Sequence, residues 1–258
     1  MKSKSYSKIN LYLKIIGFRE NYHLLNSRFI RIKSIYDEIE LVAKQSPSNE
    51  ISLIGDFGCT SQQNIIYKVI IKLLEYTKSN KLKKFLNDYQ IQVTKNIPKF
   101  AGLGGSSSNG ATVLSMINDT LNLDLSYETL NKIGSSVGSD LSFFLSGYDN
   151  ANVGGCGEEV VFFEDEALDF DIYTPDIKCS TKDVYTQFRN TNYNLEANTK
   201  LASKLSTMKA RDILQEFDIR TLNDLYRPAS DLYPKLTDHS QNRFFSGSGS
   251  SFFKGKSV

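Results

Sequence analysis

The sequence predicts a mixed α/β fold in two domains. Three observations carry that prediction: an N-terminal region of alternating apolar residues, a strand that runs through a glycine–serine turn into a helix at 89–121, and a change of composition near residue 155. Residues 6–16 have the period of a strand, with Ile9, Leu11, Leu13 and Ile15 on one face, and 28–43 add β-rich runs around Phe29, Ile30, Ile32 and Ile39. Thr60 or Ser61 is placed to cap a helix whose apolar stripe is Ile65, Ile66, Val69, Ile70, Leu73 and Leu74. Lys78, Lys81, Lys83 and Lys84 then interleave with Leu82, Phe85, Leu86 and Tyr89 at helical spacing, which reads as the solvated face of a further helix.

Tyr89, Ile91 and Val93 alternate with Gln90, Gln92 and Thr94 as in a half-buried strand. Next comes PKFAGLGGSSSNGA at 98–111, and then Ala111, Leu114, Ile117 and Leu121 at helical spacing, with Ser106, Ser107, Ser108 and Asn109 suited to capping the helix start. A helix over 127–133 runs into Gly134–Gly138 and Ser139–Asp140–Leu141. The glycines at 154, 155 and 157 and the acidic run Glu164–Asp165–Glu166 mark a boundary, giving domains 1–155 and 156–258. The second half holds a strand at 170–174, helical patterns at 198–217 and 221–227, and a small-residue turn, Ser246–Ser251, before Phe252 and Phe253.

Composition narrows the function. The chain has 258 residues, a formal net charge of +2 and 40% apolar residues, with the two signs of charge interspersed, so no electrostatic footprint for nucleic acid stands out. Cys59, Cys156 and Cys179 are odd in number and outside any CxxC spacing, which argues against a disulfide framework or a zinc site and for a reducing compartment. Lys14 interrupts the N-terminal apolar run, no cleavage site follows it, and no segment reaches membrane-spanning length; a cytoplasmic protein is expected.

The turn at 98–111 is the strongest chemical signal. Gly102, Gly104 and Gly105 lack a Cβ, so a charged oxygen can approach the main chain, and the free N–H groups of the following first helical turn complete an anion site. No lysine sits where GxxxxGK[ST] requires one, and the glycine spacing departs from GxGxxG, so neither a Walker A loop nor a dinucleotide fingerprint is present. A flexible serine–glycine turn is the plain alternative; the flanking strand and helix favour a phosphate site.

Gly102–Ser108, Gly134–Asp140 and Ser246–Ser251, together with Lys8–Ile9–Asn10, resemble the signatures of the GHMP kinase superfamily in their order along the chain. Pro98, Gly102, Leu103, Gly104, Ser106 and Ser107 match its central PxxxGLGSS-like signature, and Gly247 and Gly249 its C-terminal glycine-rich turn. Tyr22–His23, Gly105, Ser108 and Asn109 narrow the resemblance to the branch that phosphorylates a cytidine-diphosphate-linked methylerythritol in the non-mevalonate route to isoprenoid precursors.

The resemblance implies a two-domain fold with nucleotide and substrate in a cleft between the domains, and transfer of the ATP γ-phosphoryl group to the acceptor's 2-hydroxyl. It implies that Asp140 orients that hydroxyl and takes its proton, that Lys8 projects from its strand to hold Asp140 ionised and stabilise transferring charge, and that Asn10 on the same face orients the acceptor. The cytosine is expected beside Tyr22 and His23, with Thr181 and Tyr185 contributing from the second domain. Asn64 is expected near adenine and Lys95 near the nucleotide; the plain alternatives are a helix cap for Asn64, an edge strand for Lys95, a core position for Tyr185 and an N-cap for Asp140, the last outweighed by the resemblance. Mg²⁺ is expected to be held by phosphates and water, with Ser106, Ser107 and Asp140 nearby and no dedicated carboxylate cage. The expected partner is this small molecule alone, with no nucleic acid or membrane, and the protein a monomer or weak homodimer.

Two departures stand out: the family's GADVPFF reads GSDLSFF at 138–144, and its DGYH turn is shortened to Arg19–Glu20–Asn21–Tyr22–His23, without the glycine. A kinase for mevalonate, homoserine or a sugar, and a nucleotide-binding regulator without catalysis, are the competing readings.

Overall fold

The computed structural model describes residues 1–191 and 193–256. The chain divides into two compact units, each assembled from separate segments. Unit 1 takes Met1–Ser7, Lys33–Lys99 and Gly105–Gly147; unit 2 takes Lys8–Ile32, Phe100–Gly104 and the described residues from Tyr148 onward. Strands β1 (Lys2–Arg19) and β2 (Tyr22–Ala43) pair with each other and supply residues to both units.

In unit 1 the Glu38–Ala43 part of β2 runs antiparallel to β4 (Tyr89–Thr94), and the short β3 (Leu53–Ile54) runs parallel to β4. Helices α1 (Ile65–Thr77), α2 (Asn80–Asp88), α3 (Gly105–Leu121), α4 (Tyr127–Ser135) and α5 (Leu141–Ser146) complete it. Ile66, Val69, Ile70, Val113, Leu114, Ile117 and Leu141 meet Ile39, Leu41, Ile91 and Val93 in one core, the result expected when helical and strand periods place apolar stripes face to face. Helix α1 begins later than the Thr60–Ser61 cap predicts: residues 61–63 form a 3-10 turn, and Asn64 Oδ1 accepts the Ile66 N–H at 2.8 Å as the actual cap.

Unit 2 holds β5 (Asn150–Gly154), antiparallel both to Ser27–Ile30 of β2 and to β6 (Glu159–Phe162). A second, antiparallel sheet has the order β7 (Phe170–Tyr173), β9 (Phe252–Gly255), β8 (Phe244–Phe245). Five helices are named here: α6 (Thr181–Arg189), α7 (Leu195–Leu205), α8 (Ala210–Glu216), α9 (Ile219–Leu222) and α10 (Tyr226–Leu232). The patterns at 198–217 and 221–227 are therefore each broken in two, at Ser206–Lys209 and at Asn223–Leu225.

Strand β1 is buried on both faces from Ser7 to Ile15, where alternation predicts burial of one. The opposite face is polar, so each side chain there needs a partner. Tyr12 OH donates to Asn26 Oδ1 at 2.8 Å, and Lys14 is ion-paired with Asp224, whose Oδ2 also accepts from the Ile15 N–H at 2.7 Å. On β2, Arg28 is fully buried; its guanidinium lies 3.3 Å from the Phe163 ring centre and donates to Asn152 Oδ1 and to the carbonyls of Ser206 and Met208 beyond α7.

Candidate active site

Unit 2 brings the two glycine turns together. Gly102 and Gly249 take φ of +73° and +94°, a region open to residues without a Cβ. Ser246 Oγ donates to the Gly102 carbonyl at 3.1 Å, and the Ser251 N–H donates to the Ala101 carbonyl at 3.0 Å. Closeness is the second reason for glycine: an added Cβ at Gly102 would lie 2.3 Å from the Ser246 carbonyl oxygen. Thr181, expected to touch substrate, is within hydrogen-bond distance of Ser248, its Oγ1 lying 2.8 Å from Ser248 Oγ.

Lys8 and Asn10 meet the same turns from β1. The Lys8 ammonium donates to Asn10 Oδ1 at 2.7 Å and to the Gly102 carbonyl at 3.3 Å, and lies 4.4 Å from the Phe29 ring centre. The Lys8 backbone N–H donates to Leu103 O at 3.0 Å, and Asn10 N–H donates to Ser246 Oγ at 3.3 Å. Lys8 is buried rather than projecting from a β surface; the i, i+2 spacing holds as expected, with both side chains on one face. Leu103 is buried, so its contribution is to anchor the turn through its carbonyl.

Unit 1 supplies the start of α3. Ser106 is exposed and Ser107 half-buried, both in the first turn at the positive end of a 17-residue helix. Ser108 and Asn109 are buried and do not cap it. Ser5 Oγ donates to Ser108 Oγ at 2.7 Å, and Asn109 Nδ2 donates to Ser5 Oγ and Asp37 Oδ2, each at 2.9 Å. Lys95 is ion-paired with Asp37 and donates to Asn109 Oδ1 at 2.9 Å, while Asp37 Oδ1 accepts the N–H groups of Asn96 and Ile97. Lys95 thus fixes the chain entering the turn. Asn64 uses its Oδ1 as the α1 cap, and Pro98 is exposed.

Asp140 stands at the head of α5, in the N-cap position, but with α-helical angles (φ −61°, ψ −18°) and no cap hydrogen bond from its side chain. The capping explanation of this carboxylate therefore fails. The preceding glycines serve packing: a Cβ on Gly134 would lie 2.8 Å from Leu145 Cδ1, which lets α4 and α5 approach closely. No group of three or more potential metal ligands occurs among the described residues.

His23 sits in an aromatic cluster of unit 2. Its ring centre lies 5.0 Å from Phe18, 4.9 Å from Tyr185 and 5.7 Å from Phe188, whereas Tyr22 is exposed. Arg189 donates from Nε to His23 Nε2 at 3.4 Å and from Nη2 to the Asn21 carbonyl at 2.5 Å. The shortened turn before the pair is a two-residue hairpin in which Glu20 takes φ +53°. Burial first, then the Arg189 charge, pushes the His23 pKa from 6.5 down to about 4, so the ring is neutral at pH 7. Because the folded ring takes up a proton less readily than the unfolded one, its contribution to stability is complete above pH 6.5 and is lost as pH falls toward 4. Denaturant unfolding at a series of pH values is expected to show that loss, and His23→Gln to flatten it.

Sequence reasoning missed Arg189, Asp37 and Asn223. Arg189 follows Tyr185 by four residues on α6, a spacing that puts both on one helix face and could have found it. Asn223 carries no such signal: its buried amide donates to the carbonyls of Phe245 at 2.9 Å and Gly247 at 3.0 Å, supporting the C-terminal turn from a helix end.

Residues 64–151 match the GHMP kinases N terminal domain. A 4-diphosphocytidyl-2-C-methyl-D-erythritol kinase of Sulfurimonas denitrificans is 44% identical over 257 residues, covering 98% of this chain and 96% of that one. The enzyme of the same name from Helicobacter acinonychis is 37% identical, with 96% and 94% covered. Among solved structures, a 4-(cytidine 5'-diphospho)-2C-methyl-D-erythritol kinase superposes with a TM-score of 0.74 at 24% identity, covering 99% of this chain and 89% of the other. A mevalonate kinase superposes with a TM-score of 0.69 at 14% identity, covering 99% and 91%. The two-domain GHMP kinase fold expected from the sequence is thereby established.

Proposed function

The chain belongs to the 4-diphosphocytidyl-2-C-methyl-D-erythritol kinases of the GHMP superfamily, and on that premise we propose that it transfers the γ-phosphoryl group of ATP to the 2-hydroxyl of 4-diphosphocytidyl-2-C-methyl-D-erythritol. The observation that supports this chemistry best is the meeting of Lys8 and Asn10 with the turns at 100–104 and 246–251. Lys8, a buried cation hydrogen-bonded to Asn10 and to the turn, stabilises charge on the transferring group, and Asn10 orients the acceptor. Asp140 aligns the hydroxyl and receives its proton. Gly102, Gly104 and Gly105 with Ser106 and Ser107 receive the ATP phosphates, and Asn64 Nδ2 is the atom of that residue left for adenine.

The chemistry magnesium would supply with the nucleotide is neutralisation of phosphate charge. Exposed Ser106 and half-buried Ser107 suit it, as hard oxygen donors beside the phosphates, in keeping with an ion held mainly by nucleotide and water. Tyr22, His23, Thr181 and Tyr185 form the cytidyl side of the reading. The division expected from the sequence, with ATP binding over 1–155 and a C-terminal part over 156–258, belongs to it too. No helix among the described residues is long and apolar enough to cross a membrane; a cytoplasmic enzyme, monomeric or weakly dimeric, is the setting we propose.

ADP release with a panel of acceptors tests the proposal: turnover with the cytidyl substrate is expected, and turnover with mevalonate or homoserine in its place overturns it. His23→Ala is expected to raise the KM for the cytidyl substrate by about tenfold to a hundredfold, the range of one lost buried hydrogen bond and its packing. The KM for ATP should change far less, and equal effects on both would assign His23 to folding alone.

A further inference from the structure

His23 has two ring nitrogens, and its environment leaves them unequal. A guanidinium carries five N–H donors and no acceptor and stays protonated at any physiological pH. Arg189 Nε points at His23 Nε2, and the second arm of the same guanidinium is anchored on the Asn21 carbonyl in the turn that precedes the histidine. A donor facing Nε2 requires a lone pair there. The proton of the neutral ring must therefore sit on Nδ1, opposite to the Nε2–H form that predominates for imidazoles in water. Phe18, Tyr185 and Phe188 pack around the ring, at 5.0, 4.9 and 5.7 Å between ring centres.

We infer that Arg189 is a specificity-determining residue: by fixing His23 as the Nδ1–H tautomer, it makes this position a hydrogen-bond donor that accepts cytosine and rejects uracil. The step rests on the reading of His23 as the nucleobase residue. Cytosine presents an acceptor at N3 where uracil presents N–H, so a fixed donor is satisfied by the first and opposed by the second. A histidine free to exchange tautomers could offer either a donor or an acceptor and would discriminate poorly. Arg189 touches neither base nor phosphate in this account; it acts through His23.

Two measurements on the full-length protein test it. Long-range ¹H–¹⁵N NMR at pH 7 is expected to show His23 protonated at Nδ1 in the wild type, the Nε2–H form in Arg189→Met, and Nδ1 again in Arg189→Lys, since an ammonium also donates without accepting. Calorimetric binding of CDP and UDP is expected to show a preference for CDP of about a hundredfold in the wild type, falling at least about tenfold in Arg189→Met and restored in Arg189→Lys. Because Arg189 is exposed, all three proteins are expected to fold, and their NMR spectra report this directly.

A wild-type His23 protonated at Nε2 overturns the inference. So does a CDP preference that survives Arg189→Met after the tautomer has changed. A wild-type protein that binds neither nucleotide overturns instead the proposed function, and the base-reading role with it, while the tautomer result stands on its own.

Discussion

Asp140→Asn is expected to lower kcat by about 10²–10⁴, the usual contribution of a positioned acid–base group, with little change in either KM. Asparagine keeps the shape and loses the ability to receive a proton. A carboxylate is a weak base toward an alcohol, but phosphoryl transfer through a loose transition state asks for little deprotonation before the bond to phosphorus forms. In the proposed mechanism the carboxylate orients the hydroxyl and takes its proton late. The structure sharpens the test, because the Asp140 side chain makes no cap hydrogen bond to α5. A side-chain cap is worth about 0.5–2 kcal/mol, and Asp140 does not supply that contribution to α5. Unimpaired turnover in Asp140→Asn removes Asp140 from the mechanism.

How much of this site was legible depended on where the signal lay. The strand–turn–helix at 89–121 could be read because its periods change on either side of a glycine cluster, and the structure has β4 and α3 there. Asn10 could be placed beside Lys8 because a strand repeats every two residues. Burial of that face could not, since Lys8, Asn10, Tyr12 and Lys14 look solvent-facing until their partners are known. Those partners, among them Asp224, Asn26 and the Gly102 carbonyl, lie up to about two hundred residues away, and no local pattern encodes them. The same limit explains Lys95, whose part-buried network joins Asp37 and Asn109, 58 and 14 residues distant. Ser108 and Asn109 are cap residues by type, but tertiary partners claim both. His23 was visible and Arg189 was not, because a single arginine is ordinary until a ring nitrogen is found opposite it.

Gly102→Ala is expected to destabilise the protein by roughly 2–5 kcal/mol, the sum of a left-handed backbone penalty and the overlap of an added methyl group. At φ +73° the first contribution applies to any residue with a Cβ. The second is particular to this position: the Cβ would lie 2.3 Å from the Ser246 carbonyl and 3.1 Å from both N and O of Gly249, all backbone atoms that no rotamer change can move aside. Gly147 separates the two contributions. It caps α5 at φ +75°, and a Cβ there would meet nothing within 4 Å, so Gly147→Ala carries the backbone penalty alone. The difference between the two variants in denaturant unfolding is therefore expected to be about 1–3 kcal/mol, with Gly102→Ala the weaker protein. Catalysis should separate them further. Pushing the 100–104 turn off Ser246 breaks the Gly102 carbonyl away from both the Ser246 hydroxyl and the Lys8 ammonium, so Gly102→Ala is expected to lose kcat at temperatures where it is still folded, and Gly147→Ala to keep it. Equal destabilisation in the two variants would mean that the turns yield to a methyl group, and that their close approach is not what fixes Lys8.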